Sequence, residues 1–514
     1  MLRGLGRPAE ALRYFDVAVA IRPDASTLNE RAIAHMEAGR LAQAEADLRR
    51  ALLMTPDSVA AHCNLGIVLR RAGAGPESIE QLERAVALGP TSIVAHCNLA
   101  ASLRDRDRHE DALERLEKGL PIDPRHGDAR VLKGLLLREL GRPLEALEVL
   151  SPLGSMPEAL CNLGLALQDL GRFDEAFDAF ERARLRGRHA HQAIFNRGML
   201  RLLQGNYAEG WRDYEHRYFT DESPRRDYGC PDWWGEALDG KALIVYPEQG
   251  LGDEIMFASC LPDLRMPGAR VAIECDPRLG SLFRRSFPEA EVIVAERGQG
   301  RARVRERLSP DYQIAAGSLP GLFRTRADAF PGVPCLRADA VRVAAWHQRL
   351  RALGAGPFVG LAWRGGLART RSAARSLDVA ALAPLLGDAP AHFVCLQHDA
   401  SDEELEWLTQ ACKGRFTRFA LPQSDLDDLA ALVVALDGVT TVCQTLVHLC
   451  GGLGRPCLVL APFVPEWRYG LEAGGMRWYG TVRVERQARP GDWAQPLERG
   501  AAQLAALAGT GKPS

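Results

Sequence analysis

The pentapeptide AHCNL occurs at residues 61–65 and again at residues 95–99, 34 residues apart. A period of that length means a stacked array of supersecondary units, which constrains the first part of the chain more than any other feature. Prolines close successive units at Pro23, Pro56, Pro90 and Pro124. A turn position recurs at Gly6, Gly39, Gly73, Asp107, Gly141, Gly171 and Gly205. Five residues after each lies a small residue: Ala11, Ala44, Ser78, Ala112, Ala146, Ala176 and Gly210. Seven residues before each turn, from the second onward, lies another: Ala32, Gly66, Ala100, Gly134, Gly164 and Gly198. The physical reading is a helix–turn–helix unit. Small residues let two helices approach closely, the turn residue takes the left-handed conformation between them, and proline stops the second helix.

This spacing resembles the tetratricopeptide repeat, and the match runs from residue 1 to about residue 215. The unit between Gly141 and Gly171 is four residues short, which predicts a trimmed linker before its first helix. The first unit lacks an opening helix, so the helix at the chain start is expected to expose a face. Solenoids of this kind present a concave surface that takes a protein or peptide, unless they serve only as spacer or dimerisation arm. Asn64, Asn98, Asn162 and Asn196 share one position on the first helices. A ladder of side-chain amides can hold a peptide backbone, or can bond neighbouring helices instead. Cys63, Cys97 and Cys161, each one residue earlier, read as small packing residues.

The periodicity stops at Trp211. Residues 216–240 are rich in proline, glycine, aspartate and aromatics and read as a linker. Short apolar runs then alternate with helical stretches. The runs 242–246, 270–275, 291–295 and 312–316 form one set, and 358–363, 392–397, 439–443 and 457–462 a second. Buried parallel strands read this way, and the alternation predicts two doubly wound α/β domains in series. The expected domains are residues 241–345 and 346–490, with a C-terminal helix and tail at 491–514 crossing back to brace the first of them. The fold class is therefore an α-helical solenoid followed by two Rossmann-like α/β domains, with ligands expected at the carboxyl ends of the strands.

Four loops carry candidate chemistry. YPEQGLGDEI, residues 246–255, has Gly250 and Gly252 but Ile255 where a dinucleotide fingerprint needs its third glycine. Asp253 would repel a phosphate there. It either caps the next helix or acts as a base toward a hydroxyl acceptor approaching over the glycines. In VCQTLVHLC, residues 442–450, a strand ends and Gln444 and Thr445 open a helix with His448 in its first turn. Its free N–H groups make an anion site suited to a diphosphate. In LAWRGGLARTRSAARS, residues 361–376, Arg364, Arg369, Arg371, Arg375 and Ser376 follow a strand, Arg364 being best placed for bidentate phosphate contact. Gln397 ends another strand on the same rim, and Glu466, Trp467 and Arg468 follow the last one as a possible pocket wall.

Together these loops resemble bacterial proteins that join tetratricopeptide repeats to a heptosyltransferase-like glycosyltransferase module. The resemblance runs through LIVYPEQGLGDEI, GLAWRGG, RSLDVAALAPLL, FVCLQ and HLCGGLGRPCLVLAPFVPEWRYG. It implies the two-domain fold called GT-B and assigns the catalytic base to Asp253. The donor-side helix start in that family reads Asp-Thr, three residues, then His. Here Cys443, Gln444 and His448 hold those positions, so the usual aspartate is absent. The repeat-plus-GT-B layout also resembles protein O-linked N-acetylglucosamine transferases, in which repeats present the polypeptide. The implied reaction is inverting, metal-independent sugar transfer from a nucleotide-sugar co-substrate to a hydroxyl, with Arg364, Gln397, Ser376, Gln444, Thr445, His448 and Arg468 on the donor side. Two rivals are a non-catalytic repeat scaffold carrying a degenerate module, and transfer to a lipopolysaccharide-type glycan.

Composition narrows partners and place. Net charge is −2, which provides no global basic field for nucleic acid. No apolar run is long enough to span a bilayer, and no signal-peptide core or metal-ligand cluster is evident. The twelve cysteines include no CxxC pair. Free thiols in a reducing cytoplasm are expected, with no bound cofactor.

Overall fold

The repeat turns adopt the backbone their residues dictate. Gly39, Gly73, Gly141, Gly171 and Gly205 have φ between +72° and +82°, and Asp107 takes the same turn at +58°. Asparagine and aspartate are among the few residues besides glycine that enter this region. These features come from a computed structural model that describes residues 8–185, 187–220, 225–264, 268–296, 299–366, 371–387, 389–420, 425–472 and 474–509. Gly6 lies outside the described residues.

Helices flank each turn in pairs, as in Ala25–Glu37 with Leu41–Met54 and Val59–Arg71 with Gly75–Leu88. Their small residues sit where helices touch. A Cβ on Gly66 would fall 2.4 Å from Cγ of Leu82, and one on Gly134 would fall 2.5 Å from Cγ of Leu150. Ala32, Ala44, Ala100, Ala112, Ala146 and Ala176 are fully buried. Arginines tie paired helices together: Arg31 forks onto Asp47 at 2.7 and 2.6 Å, and Arg197 onto Asp213 at 2.7 Å for both bonds. The first helix, Pro8–Ile21, exposes Tyr14, Val17 and Ile21.

The short unit differs from the expectation. Its linker is not the main loss. The second helix of the preceding pair, Pro143–Leu150, has 8 residues, against 14 in Leu41–Met54, and continues only as a 3₁₀ turn at Ser151–Leu153. Pro152 has no N–H to give an α-helical bond, so the helix cannot run on.

The chain divides into two compact units. Among the described residues, one is built on residues 8–166 and the other on residues 167–366 and 372–509. The last repeat helices, Phe173–Arg184, Ala190–Leu203 and Tyr207–Tyr214, thus belong to the same unit as the α/β region.

That region holds two all-parallel sheets. Strands β1 (Ala242–Tyr246), β2 (Arg270–Cys275), β3 (Glu291–Val294) and β4 (Tyr312–Ala315) lie in the order β3-β2-β1-β4. Strands β5 (Phe358–Leu361), β6 (His392–Cys395), β7 (Phe416–Arg418), β8 (Gly438–Val442), β9 (Cys457–Ala461) and β10 (Val482–Arg486) lie in the order β10-β9-β8-β5-β6-β7. Strands β1, β5, β8 and β9 are buried along their whole length, as expected where helices cover both faces. Two strands escape the sequence reading. Both β7 and β10 are edge strands, the first only three residues long and the second alternating buried Val482 and Val484 with charged residues.

The C-terminal helix, Ala494–Gly509, corrects another expectation. It packs on the second sheet rather than bracing the first: its Gly500 lies against Leu385, Leu458 and Leu460, and Gln503 donates to Glu485 of β10 at 2.7 Å. Residues 510–514 lie outside the described ones.

The end of the repeats is joined to the first sheet by charge as well as packing. Arg217 is fully buried and donates from Nε to Oε1 of Glu248 at 3.0 Å, from Nη1 to Glu215 at 2.7 Å and from Nη2 to Ser318 at 2.7 Å. Its guanidinium also lies over the rings of Tyr214 and Tyr218, at 4.7 and 4.1 Å. Trp211 donates to the carbonyl of Arg324 at 2.9 Å.

Two stability outcomes follow. Gly134→Ala places a methyl against a buried leucine and should cost about 1–3 kcal/mol of repeat stability, measured by urea unfolding of the full chain followed by far-UV circular dichroism. Arg217→Met leaves Glu248 buried without its cation and should cost about 3–5 kcal/mol. Adding Glu248→Met to the same chain should recover much of that loss in the same measurement.

Candidate functional site

The loop after β1 is held along its length. Burial pushes the Glu248 carboxyl pKa up, and the Arg217 guanidinium beside it opposes that rise. Gln249 donates from Nε2 to the hydroxyl of Tyr214. The N–H of Gly250 donates to Oδ2 of Asp253 at 3.2 Å, the capping contact open to an aspartate in the first turn of helix Leu251–Phe257. The other Asp253 oxygen, Oδ1, accepts from Nη2 of Arg468 at 2.6 Å. Both partners are partly accessible, with 17% and 18% of their side-chain surfaces open. Burial works against the Arg468 charge, but Asp253 and Glu466 outweigh it and the group stays cationic.

The same loop rests on the helix that follows β8. A Cβ on Gly252 would lie 3.2 Å from Cδ2 of His448, 3.3 Å from Oγ1 of Thr445 and 3.4 Å from its Cα. Gly252 is therefore one point of close approach between the two α/β parts. Helix Thr445–Gly452 opens without a side-chain cap on its first N–H groups. Gln444 precedes it but turns back, donating from Nε2 to Oγ1 of Thr441 at 2.7 Å. His448 is buried, and burial lowers its pKa well below the usual imidazole range, with Arg468 adding to the shift. The ring is neutral, so it can offer a hydrogen bond but not a positive charge. Its Nδ1 lies 3.4 Å from the hydroxyl of Tyr479. Cys443 is buried, and burial raises its thiol pKa well above the ordinary value. An inert neutral thiol thus stands where a carboxylate was expected from the resemblance.

The remaining rim residues are engaged with one another. Arg364 pairs with Glu404 and lies 3.4 Å from Asp399. Gln397 is buried, accepts from the N–H groups of Trp363 and Arg364 at 3.0 Å each and donates to Asp399 at 2.6 Å. It fixes the backbone between β5 and β6, so its amide serves the strand ends. Ser376 accepts from the N–H of Gly365 at 3.4 Å. Arg375 is buried and pairs with Glu466, and Gly366, at φ +80°, lies directly against its guanidinium. Arg369 lies outside the described residues.

Asp253, Thr445, His448 and Arg468 are thus brought together, whereas Arg364, Gln397 and Ser376 form a neighbouring network on β5 and β6. Sequence reading missed Arg217, Glu248 and Tyr214. Glu248 sits inside the quoted loop, yet nothing local marks a glutamate as buried. Its only signal was position, two residues beyond a fully apolar strand.

The asparagines of the repeats divide. Asn64 donates to Asn29 at 2.8 Å, a partner one unit away that the sequence reading did not include. Asn98 and Asn162 are half-buried. Asn196 is only 2% exposed and accepts from Gln192, four residues earlier on the same helix, at 3.0 Å. Among the described residues, no group of three or more His, Cys, Asp or Glu side chains is arranged to hold a metal ion, and no helix is long and apolar enough to cross a membrane.

Comparison with known proteins agrees with the repeat geometry. The tetratricopeptide repeat family matches residues 29–93, 97–151 and 157–186. A thermophilic tetratricopeptide-repeat protein of Thermus thermophilus is 21% identical, with 35% of this chain and 100% of that chain covered at a TM-score of 0.32. PilF of Pseudomonas aeruginosa is 17% identical, with 38% and 86% covered and a TM-score of 0.32. Protein FlbA of Caulobacter vibrioides reaches beyond the repeats, with 31% identity over 428 residues, which is 72% of this chain and 71% of FlbA. Identity sustained over that length cannot come from the repeats alone, and the chain belongs to the family of Protein FlbA.

Proposed function

We propose that this protein is a glycosyltransferase of the GT-B kind, moving a sugar from a nucleotide-sugar donor to a hydroxyl on a protein held by its repeats. The observation that carries the reading is Gly252 seated against Thr445 and His448, with Asp253 beside it. The glycine before the carboxylate, in the loop after β1, thereby lies against the start of a helix that follows β8. In this reading Asp253 takes the proton of the acceptor hydroxyl as its oxygen bonds the anomeric carbon. The bond to the diphosphate breaks on the opposite face, and the electron pair leaves with the nucleotide. The N–H groups at the start of helix Thr445–Gly452 and the neutral His448 ring stabilise that charge by hydrogen bonding. Positive charge comes from Arg364 and Arg468 once a donor competes for their present carboxylate partners. Asn64, Asn98 and the half-buried Asn162 are the amides available to an extended peptide.

A second reading has its own support. Asp253 is paired with Arg468, Arg364 with Glu404, and the helix start lacks an aspartate. Those features suit a repeat scaffold whose α/β part has lost catalysis.

The test is a panel of nucleoside-diphosphate and nucleoside-monophosphate sugars screened by melting temperature against the full chain. A donor at 100 times its Kd should stabilise the native state by about 2.7 kcal/mol. No shift with any donor would favour the scaffold. With the donor in hand, Asp253→Asn should lower turnover roughly 100- to 10,000-fold while the donor-induced melting shift persists, measured by mass spectrometry of the acceptor. Full turnover in that variant would remove Asp253 as the base.

A further inference from the structure

Helix Tyr207–Tyr214 ends the repeats, yet its last residue touches both loops that supply the Asp253–Arg468 pair. On one side, the Tyr214 hydroxyl accepts from Gln249, and the next residue, Gly250, donates its N–H to Oδ2 of Asp253 at 3.2 Å. On the other side, the Tyr214 ring packs against the Trp467 ring with centroids 5.7 Å apart, and Trp211 meets the same ring edge-on at 5.3 Å. Trp467 immediately precedes Arg468, whose guanidinium lies 5.3 Å from the Trp467 centroid and reaches Oδ1 of Asp253 at 2.6 Å. One tyrosine thus contacts the loop leading into the carboxylate, four residues before it, and the residue directly before the guanidinium.

The arrangement is pinned from below. Arg217, one turn further on, donates to the Tyr214 carbonyl at 3.2 Å, stacks over its ring at 4.7 Å and holds Glu248. Tyr214 is fully buried, and burial raises its pKa, so the hydroxyl keeps its proton. Phe257, at the end of the helix that Asp253 opens, also faces Trp467, at 6.5 Å. A group that must meet a substrate within a fraction of an ångström needs this kind of support from packed neighbours.

We propose that Tyr214 is a positioning residue, setting the separation and orientation of Asp253 and Arg468 from both sides at once. The hydroxyl acts through Gln249 on the loop after β1, and the ring acts through Trp467 on the loop after β9. The inference rests on the reading of Asp253 as the reacting carboxylate, but the coupling it asserts can be measured without any substrate.

The experiment uses the full chain and two substitutions, Tyr214→Phe, which removes only the hydroxyl, and Tyr214→Leu, which also removes the ring. Each is combined with Asp253→Asn, and the melting temperatures are compared as a double-mutant cycle. If Tyr214 sets the pair, the shift caused by Asp253→Asn shrinks by at least half in the Tyr214→Leu background, and by less with Tyr214→Phe. Shifts that add in both backgrounds overturn the proposal. Where the donor screen has supplied a substrate, Tyr214→Phe should lower kcat at least tenfold while KM for the donor stays within twofold. Unchanged kcat in Tyr214→Phe and Tyr214→Leu alike also overturns it. Coupled melting shifts in a wild-type protein that shows no transfer would uphold the positioning role and remove the transferase reading instead.

Discussion

A guanidinium and a carboxylate, Arg217 and Glu248, meet away from water where the repeats give way to the first parallel sheet. Two charges leave solvent at a cost that their mutual attraction alone does not repay. They are tolerated here because Arg217 also bonds Glu215, Ser318 and the Tyr218 hydroxyl and lies over two aromatic rings. The pair fixes the residue two places beyond β1. Everything after it in that loop, including Gln249, Gly250 and Asp253, is built outward from a point the repeats hold. The last repeat helices are therefore part of the α/β unit in a physical sense, and not only its neighbours in sequence.

The charges that this brings together are already balanced. Asp253 has one oxygen on its own helix start and the other on Arg468, so its charge is met on both sides. His448 is neutral because burial disfavours its cation, and Cys443 keeps its proton for the corresponding reason. In the proposed reading, anion affinity at helix Thr445–Gly452 rests on backbone N–H groups and on arginines that exchange partners. The ligand of that proposal brings its own negative charge and displaces the carboxylates now paired with Arg364 and Arg468. That exchange is where the two proposed readings, transferase and scaffold, part.

Much of the architecture was legible because it rests on short-range pattern. The glycines and the aspartate of the repeat turns stand out as residues able to enter the left-handed region, and they do enter it. Apolar runs marked β1, β5 and β9, and β8 adds only two buried threonines to the same pattern, since a strand covered on both faces has no solvent-facing side. The misses share a cause. β10 alternates valine with charge because one of its faces is half open, and β7 is too short for any period to register. The C-terminal helix was assigned to the wrong sheet because amphipathicity reports that a helix has a buried face, but not which surface buries it.

Local pattern was enough to read the repeat period, the turn residues and most of the strands. Each of these depends on residues within one or two turns of each other, and local sterics and burial decide them. The tertiary structure alone decided which charges meet. Asp253 and Arg468 are 215 residues apart, and Trp211 and Arg324 are 113 apart, distances at which no periodicity carries information. Whether an aspartate is a cap, a base or half of an ion pair depends on what packing delivers to its other oxygen. That delivery follows from how Tyr214, Gln249 and Trp467 pack around it, which becomes defined only once the chain has folded.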